Sequence, residues 1–339
     1  MSRLSAELAA MEMISCGTTG FVDAGGKYPE IFAEVYDQAG LRGRLTVMTN
    51  DNPNAPDSLR AASVPDAVAR LRAMKSALTG RLAPIYSVTT PTAVSKELLR
   101  AVFEAAAEDG VPVETHMNEY ASEVTEFLER YSRRPFVWLK EEGLLAAPMV
   151  APHCIFLSQE EIEILARHQI RVAHCPFSNC GKGVPPTPQL LRAGVPVGFG
   201  TDGSAHGGLD LFREMRLFRG VMNVTRGIAE ANSAIMPAET LLKMATQGGA
   251  AALFQPGLGT IEPGGIADLI AIDTDAPHLW PTQNLVHSLV ESASGADVCH
   301  SIVDDVLLMK DRELLTLDWE RIRSHAELLF EKNPWLCRW

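Results

Sequence analysis

Short apolar, β-prone runs alternate with stretches of helical periodicity through the first 255 residues. Leu4, Leu8, Met11 and Ile14 fall near helical spacing, and Gly17 ends that helix. A β-rich run from Thr18 to Val22 is closed by Gly25 and Gly26 and leads into a helical stretch through Ile31, Val35 and Tyr36. The same unit repeats as strands at 45–49 and 84–88, each followed by a helix, at about 64–78 and 95–107. A third repeat follows the Gly110-Val111-Pro112 breaker, with a strand ending at His116 and a helix from Glu119 to Leu128 and beyond. The strand ending at His153 precedes a helix that Ser158 and Glu161 open as a capping box. Strands ending near His174 and Asp202 follow, separated by a Gly/Pro-rich loop at 181–188 and a short helix. Apolar strands in strict β/α alternation predict a parallel, TIM-like (β/α)8 barrel.

The count departs from that fold. Seven strands are found, near residues 18, 45, 84, 112, 148, 171 and 196, where a closed barrel of this type has eight. The chain opens on a helix, so the first strand is the one expected to be missing. After helices at 209–230 and 237–255 the texture changes. Residues 257–273 hold two β runs about the Pro263-Gly264-Gly265 turn, 298–308 hold another, and 319–330 read as a helix. The expected division is a barrel domain at 1–255 and a partial small β domain at 256–339.

Charge narrows the partners. With 42 acidic against 30 basic residues the net charge is −12, which argues against nucleic acid or an anionic membrane. Six cysteines occur singly, without a C-x-x-C pair, which fits a reducing cytoplasm. No apolar run approaches the roughly 18 residues of a membrane span.

The chemistry gathers at strand ends. His116 closes its strand and Glu119 lies three residues on, a metal ligand beside a proton carrier if the barrel reading holds, because barrel enzymes keep their working residues at C-terminal strand ends. His153, His174 and Asp202 recur in equivalent places. His206, just past Asp202, reads as solvated yet near enough to be a stray ligand. Met11 and Met13 read as core positions. His278, His287, His300 and His325 lie in the tail without an assigned role, and His325-Ala326-Glu327 lacks the P-C-x-x-C that zinc deaminases of the base-flipping type require.

Taken together, Met11-Glu12-Met13 with Gly17-Thr18-Thr19-Gly20-Phe21-Val22-Asp23, His116-x-x-Glu119, His153-Cys154, His174-Cys175-Pro176 with Ser178-Asn179, Gly200-Thr201-Asp202-Gly203, Gly259-Thr260-Ile261-Glu262-Pro263-Gly264 and Trp280-Pro281-Thr282-Gln283-Asn284 carry a resemblance nearly end to end. The chain resembles the amidohydrolase superfamily, in its branch acting on heteroaromatic rings: S-adenosylhomocysteine/methylthioadenosine, guanine and cytosine deaminases and the triazine hydrolases. The resemblance implies one Zn2+ or Fe2+ per subunit with His116 and Asp202 as ligands. It implies Glu119, His153 and Asp202 as the catalytic groups, and His174, Ser178 and Asn179 as substrate contacts. A small heteroaromatic substrate, cytoplasmic location and a homo-oligomer follow as expectations.

Two departures stand out. The His-x-His of the family's first strand is absent, since the first histidine of the chain is His116. An N-terminally truncated product accounts for that and for the missing strand, and weak metal binding is then expected. The alternative is a catalytically incompetent relative with a binding or assembly role. Thr89 also stands where nucleoside-processing relatives keep a histidine, which argues against an adenosine-type substrate.

Overall fold

The computed structural model describes residues 1–56 and 60–333; Cys337 lies outside them. Eight strand segments run parallel in chain order: β1 (Gly20–Val22), β2 (Arg42–Leu45), β3 (Leu82–Pro84), β4 (Tyr86–Ser87), β5 (Val113–Glu114), β6 (Met149–Pro152), β7 (Arg171–His174) and β8 (Val197–Phe199). β3 and β4 are one run interrupted at Ile85, whose N–H donates to the Leu45 carbonyl at 3.0 Å, so β2 pairs with its first half and β5 with its second. These are the seven expected strands.

The second strand begins at Arg42 and stops at Leu45, earlier than the expected 45–49. Beyond it Val47 keeps only an isolated bridge to Gly26, and the chain turns away through an Asx contact in which Asn52 N–H donates to Asn50 Oδ1 at 2.7 Å. Helix starts follow local chemistry. Ser63 and Ser95 accept from the N–H groups of Asp66 (3.2 Å) and Leu98 (3.0 Å), and Ser158 and Glu161 close the expected capping box at 3.2 and 3.0 Å.

Each long helix expected after Asp202 contains a π turn. Leu211–Met222 runs into a π turn at Asn223–Gly227, and Ala238–Lys243 into one at Met244–Gly248 before Gly249–Ala252 resumes the α form. The second π turn lets Gly248 press on β8, where an added Cβ would overlap the Val197 carbonyl and the Gly198 Cα. Backbone cannot yield as a flexible side chain does. Gly248→Ala is therefore expected to destabilise by about 2–3 kcal/mol, read as a lowered urea midpoint at unchanged slope; an unchanged midpoint would show that the contact relaxes freely.

At the N-terminal end of the strands, Phe254 closes the interior with Val22, Ile85, Val150, Ala173 and Ala252. The guanidinium carbons of Arg44 and Arg171 sit 5.4 and 4.6 Å from its ring centroid. Between β1 and β8 the array stays open: among the described residues no strand pairs with the outer edge of either. A cavity of about 500 Å³ fills this gap, from Ala252 and Leu253 at one end to His116 and Asp202 at the other.

The tail forms an antiparallel sheet ordered β12-β11-β10-β9, of β9 (Leu269–Ile272), β10 (Val298–Val303), β11 (Val306–Lys310) and β12 (Glu313–Leu314). The β run expected before the Pro263-Gly264-Gly265 turn is instead irregular, because Gly257 and Gly259 take left-handed φ of 85° and 81° that break a ladder. Ser301 Oγ bonds the Ile14 carbonyl at 2.8 Å and Arg42 bonds Asp268 at 2.7 Å, tying this sheet to the first helix and to β2. Helix Trp319–Lys332 packs Ile322 and Ala326 on Leu4 and Met11 of helix Ser2–Ser15. Met11 and Met13 are buried core, as their spacing predicts. No helix among the described residues is long and apolar enough to cross a membrane.

Candidate active site

The C-terminal strand ends bring His116, His153 and Asp202 together, with one donor atom from each lying within 4.8 Å of the others. The backbone that aims them is strained. Asn118, His153, Cys154 and Asp202 adopt φ of 52°, 68°, 48° and 53°, a left-handed region that residues bearing a Cβ enter at a cost of about 1–3 kcal/mol and that concentrates at functional sites. A bridge between Met117 and His153 fixes the turns after β5 and β6 against each other. Below them Glu161, fully buried, accepts from Asn118 Nδ2 (3.1 Å), Arg134 Nε (2.7 Å) and Phe136 N–H (3.3 Å), so the capping-box carboxylate also anchors the floor of the site.

Glu119 points into the same space, its Oε1 lying 3.6 Å from His153 Nε2. Asp202 Oδ2 is 3.9 Å from that nitrogen and 3.8 Å from Nε2 of His206, an imidazole 43 % exposed at the rim. His153 is buried, and burial pushes its imidazole below the usual range. Its Nδ1 meets Asn179 Oδ1 at 2.9 Å while Nε2 has no hydrogen-bond partner, a buried nitrogen aimed at Glu119 and Asp202. Burial opposes charge on His116 too, but Glu114, 3.3 Å from its Nδ1, outweighs it with help from Glu119 and Asp202 and lifts the imidazole to about 9. For Asp202, burial is outweighed by the Ser178 hydroxyl and by His153, Lys182 and His116, which hold the carboxyl below its ordinary range. Two imidazoles and a carboxylate, one nitrogen otherwise unsatisfied, fit a divalent ion such as zinc.

The residues expected to touch substrate have other partners. His174 is fully buried, with Nδ1 3.1 Å from the His153 carbonyl and Nε2 2.8 Å from Thr187 Oγ1. Both nitrogens are engaged, and burial pushes the imidazole down to about 3, so the ring is held neutral between the His153 carbonyl and Thr187. Ser178 Oγ donates to Asp202 Oδ2 at 2.5 Å, and Asn179 orients the His153 ring. Both bond to members of the converging trio.

Two further charged residues reach this space. Lys182 Nζ reaches Glu119 Oε1 at 2.6 Å and Ser178 Oγ at 2.5 Å. Glu114, 1 % exposed, accepts from Ser87 Oγ at 2.6 Å, and its Oε1 lies 3.3 Å from His116 Nδ1. Their signals were a lone cation between Gly181 and Gly183, and a carboxylate inside an apolar strand.

Glu214 supports the loop after β7 by accepting from the Phe177 N–H at 2.8 Å. Burial raises its carboxyl to about 7 from an ordinary 4.5. Between those values the unfolded chain ionises while the folded one keeps its proton, so this group's stabilisation, complete below about pH 4.5, is lost as pH rises through about 7. Glu214→Gln retains the acceptor without the charge. It is expected to add about 2 kcal/mol at pH 8 and much less at pH 5.5, measured by urea unfolding; equal gains at both values would show that Glu214 ionises freely in the folded protein.

Residues 1–308 match the profile of the Amidohydrolase family. The chain belongs to the amidohydrolase family. Among curated relatives, this amidohydrolase is 38% identical over 332 residues to the 5-methylthioadenosine/S-adenosylhomocysteine deaminase of Halobacterium salinarum, covering 96% of this chain and 74% of that protein. It is 33% identical over 323 residues to the deaminase of the same name from Pelotomaculum thermopropionicum, covering 94% and 72%. A zinc-bound adenosine deaminase from Xanthomonas campestris superposes with a TM-score of 0.89 at 28% identity, over 98% of this chain and 75% of that one. A zinc complex of atrazine chlorohydrolase from Arthrobacter aurescens, at 22% identity and a TM-score of 0.86 over 96% and 76%, shares the fold. These likenesses establish the amidohydrolase barrel architecture.

Proposed function

We propose that this amidohydrolase is a metal-dependent hydrolytic deaminase that removes an exocyclic amine, or a similar leaving group, from a heteroaromatic ring such as a purine, pterin, pyrimidine or triazine. The observation that carries the reading is the convergence of His116, His153 and Asp202 on one point beside Glu119, in a chain 38% identical to a methylthioadenosine/S-adenosylhomocysteine deaminase. His116 and Asp202 would hold one divalent ion, zinc or iron, with His153 the third donor in reach. Such an ion supplies Lewis acidity and water activated at neutral pH. Glu119 carries one proton of the attacking water to a ring nitrogen, a role worth about 10²–10⁴-fold. His153 steadies charge at the attacked centre, its ring fixed by Asn179, and Asp202, kept ionised with help from Ser178, takes the other water proton and returns it to the departing amine. Free buried thiols at Cys16, Cys154 and Cys175 support a reducing cytoplasm.

The test is ammonia or leaving-group release from a panel of aminopurines, pterins, pyrimidines and triazines, with Zn2+, Fe2+ or Mn2+ added. Release from one class, abolished by Asp202→Asn, is the expected result. Silence across the panel with metal bound would sink the assignment.

A further inference from the structure

Lys182 occupies the middle of the site. Its Nζ donates to Glu119 Oε1 at 2.6 Å and to Ser178 Oγ at 2.5 Å, lies 3.5 Å from Asp202 Oδ2 and sits 5.5 Å from the centroid of the Tyr120 ring. The side chain is only 11 % exposed. Ser178 links the two sides, accepting from the ammonium and donating to Asp202. The backbone around the lysine is set by two glycines. Gly181 takes φ of 95° with open space about it, whereas a Cβ at Gly183 would press on Ile155 and Phe156. The lysine is thus pinned on one side to the loop after β6 and free of packing on the other.

Of the two carboxylates that face this ammonium, Asp202 is the one a divalent ion would use and Glu119 the one that would carry a proton. An ion bonded to Asp202 Oδ2 at about 2.1 Å would lie no more than about 5.6 Å from Nζ, inside the range where like charges oppose each other strongly. Glu119 cannot accept a proton readily while an ammonium is bonded to it at 2.6 Å. Resting on the ligand set proposed above, we propose that Lys182 is a built-in counter-ion: it neutralises Glu119 and Asp202 in the metal-free site and withdraws from them when a divalent ion binds. Lys182 is thereby a positioning residue that sets metal affinity and frees Glu119 only in the loaded protein.

Cobalt(II) titration of the full chain, followed by visible absorption and calorimetry, tests the proposal. K182M, or K182Q should K182M fail to fold, is expected to bind Co2+ at least ~10-fold more tightly than wild type, and K182R to stay within ~3-fold. Acylation of lysines read by mass spectrometry should modify Lys182 several-fold faster with Co2+ than without, a change that a merely structural lysine would not show. Equal or weaker binding by K182M and K182Q, or labelling of Lys182 unchanged by the ion, overturns the proposal. D202N separates the two layers. Undiminished Co2+ binding by D202N overturns the ligand set and this proposal with it, whereas lost binding in D202N with unchanged affinity in the Lys182 variants overturns the role of Lys182 alone.

Discussion

Glu119→Gln is expected to lower leaving-group release by at least ~10²-fold while metal content stays unchanged. The amide keeps the length and hydrogen-bonding reach of the carboxylate but cannot carry a proton. Glu119 lies 3.6 Å from His153 Nε2, outside the group whose donor atoms converge, so metal retention should survive the change. Its carbonyl can still accept from Lys182, so the loop after β7 should keep its place. The effect should fall on kcat rather than KM, because the lost interaction is one made on the way to the transition state. Both constants and the bound metal should be measured on the same metal-supplemented preparation, with an extended chain used if the 339 residues alone are inactive. Unchanged turnover would remove Glu119 from the mechanism.

The open edges of β1 and β8 carry the second large effect. The cavity between them is lined by Ala9, Met13 and Tyr36 on its helical side and by Glu114, His116 and Ala173 on its barrel side. A strand seated there would pair with both edges and bury apolar side chains outward. With the edges free, the 339-residue chain is expected to self-associate, since exposed parallel edges template pairing with other chains. Extending it with an upstream segment that carries a strand should give a monodisperse protein with a higher melting temperature and tighter metal binding. Light scattering, thermal melts and metal analysis after dialysis on both proteins decide it. A monodisperse 339-residue monomer melting cooperatively at roughly 45–65 °C would mean that the gap is tolerated as it stands.

The sequence by itself determined the strand array, because parallel strands buried on both faces read as apolar runs and their chain order became their order in space. It also located His116, Glu119, His153 and Asp202, since barrel chemistry sits at strand ends, and it placed the Ser158 cap, whose hydrogen bonds are local. What it could not carry were facts that depend on who meets whom across the fold. That both nitrogens of His174 are engaged depends on Thr187, 13 residues away. The reach of Lys182 to Glu119 spans 63 residues and leaves no periodic trace, and Glu114 reads as a strand residue until its contact with His116 is seen. The π turn at Met244–Gly248 was equally silent, because it answers to the close approach of Gly248 and β8 rather than to helix propensity. Local hydrogen bonding and burial periodicity are written along the chain; the partners of a buried polar atom are chosen by tertiary packing, and in this amidohydrolase that packing leaves His153 Nε2 open toward Glu119 and Asp202 while both nitrogens of His174 are taken.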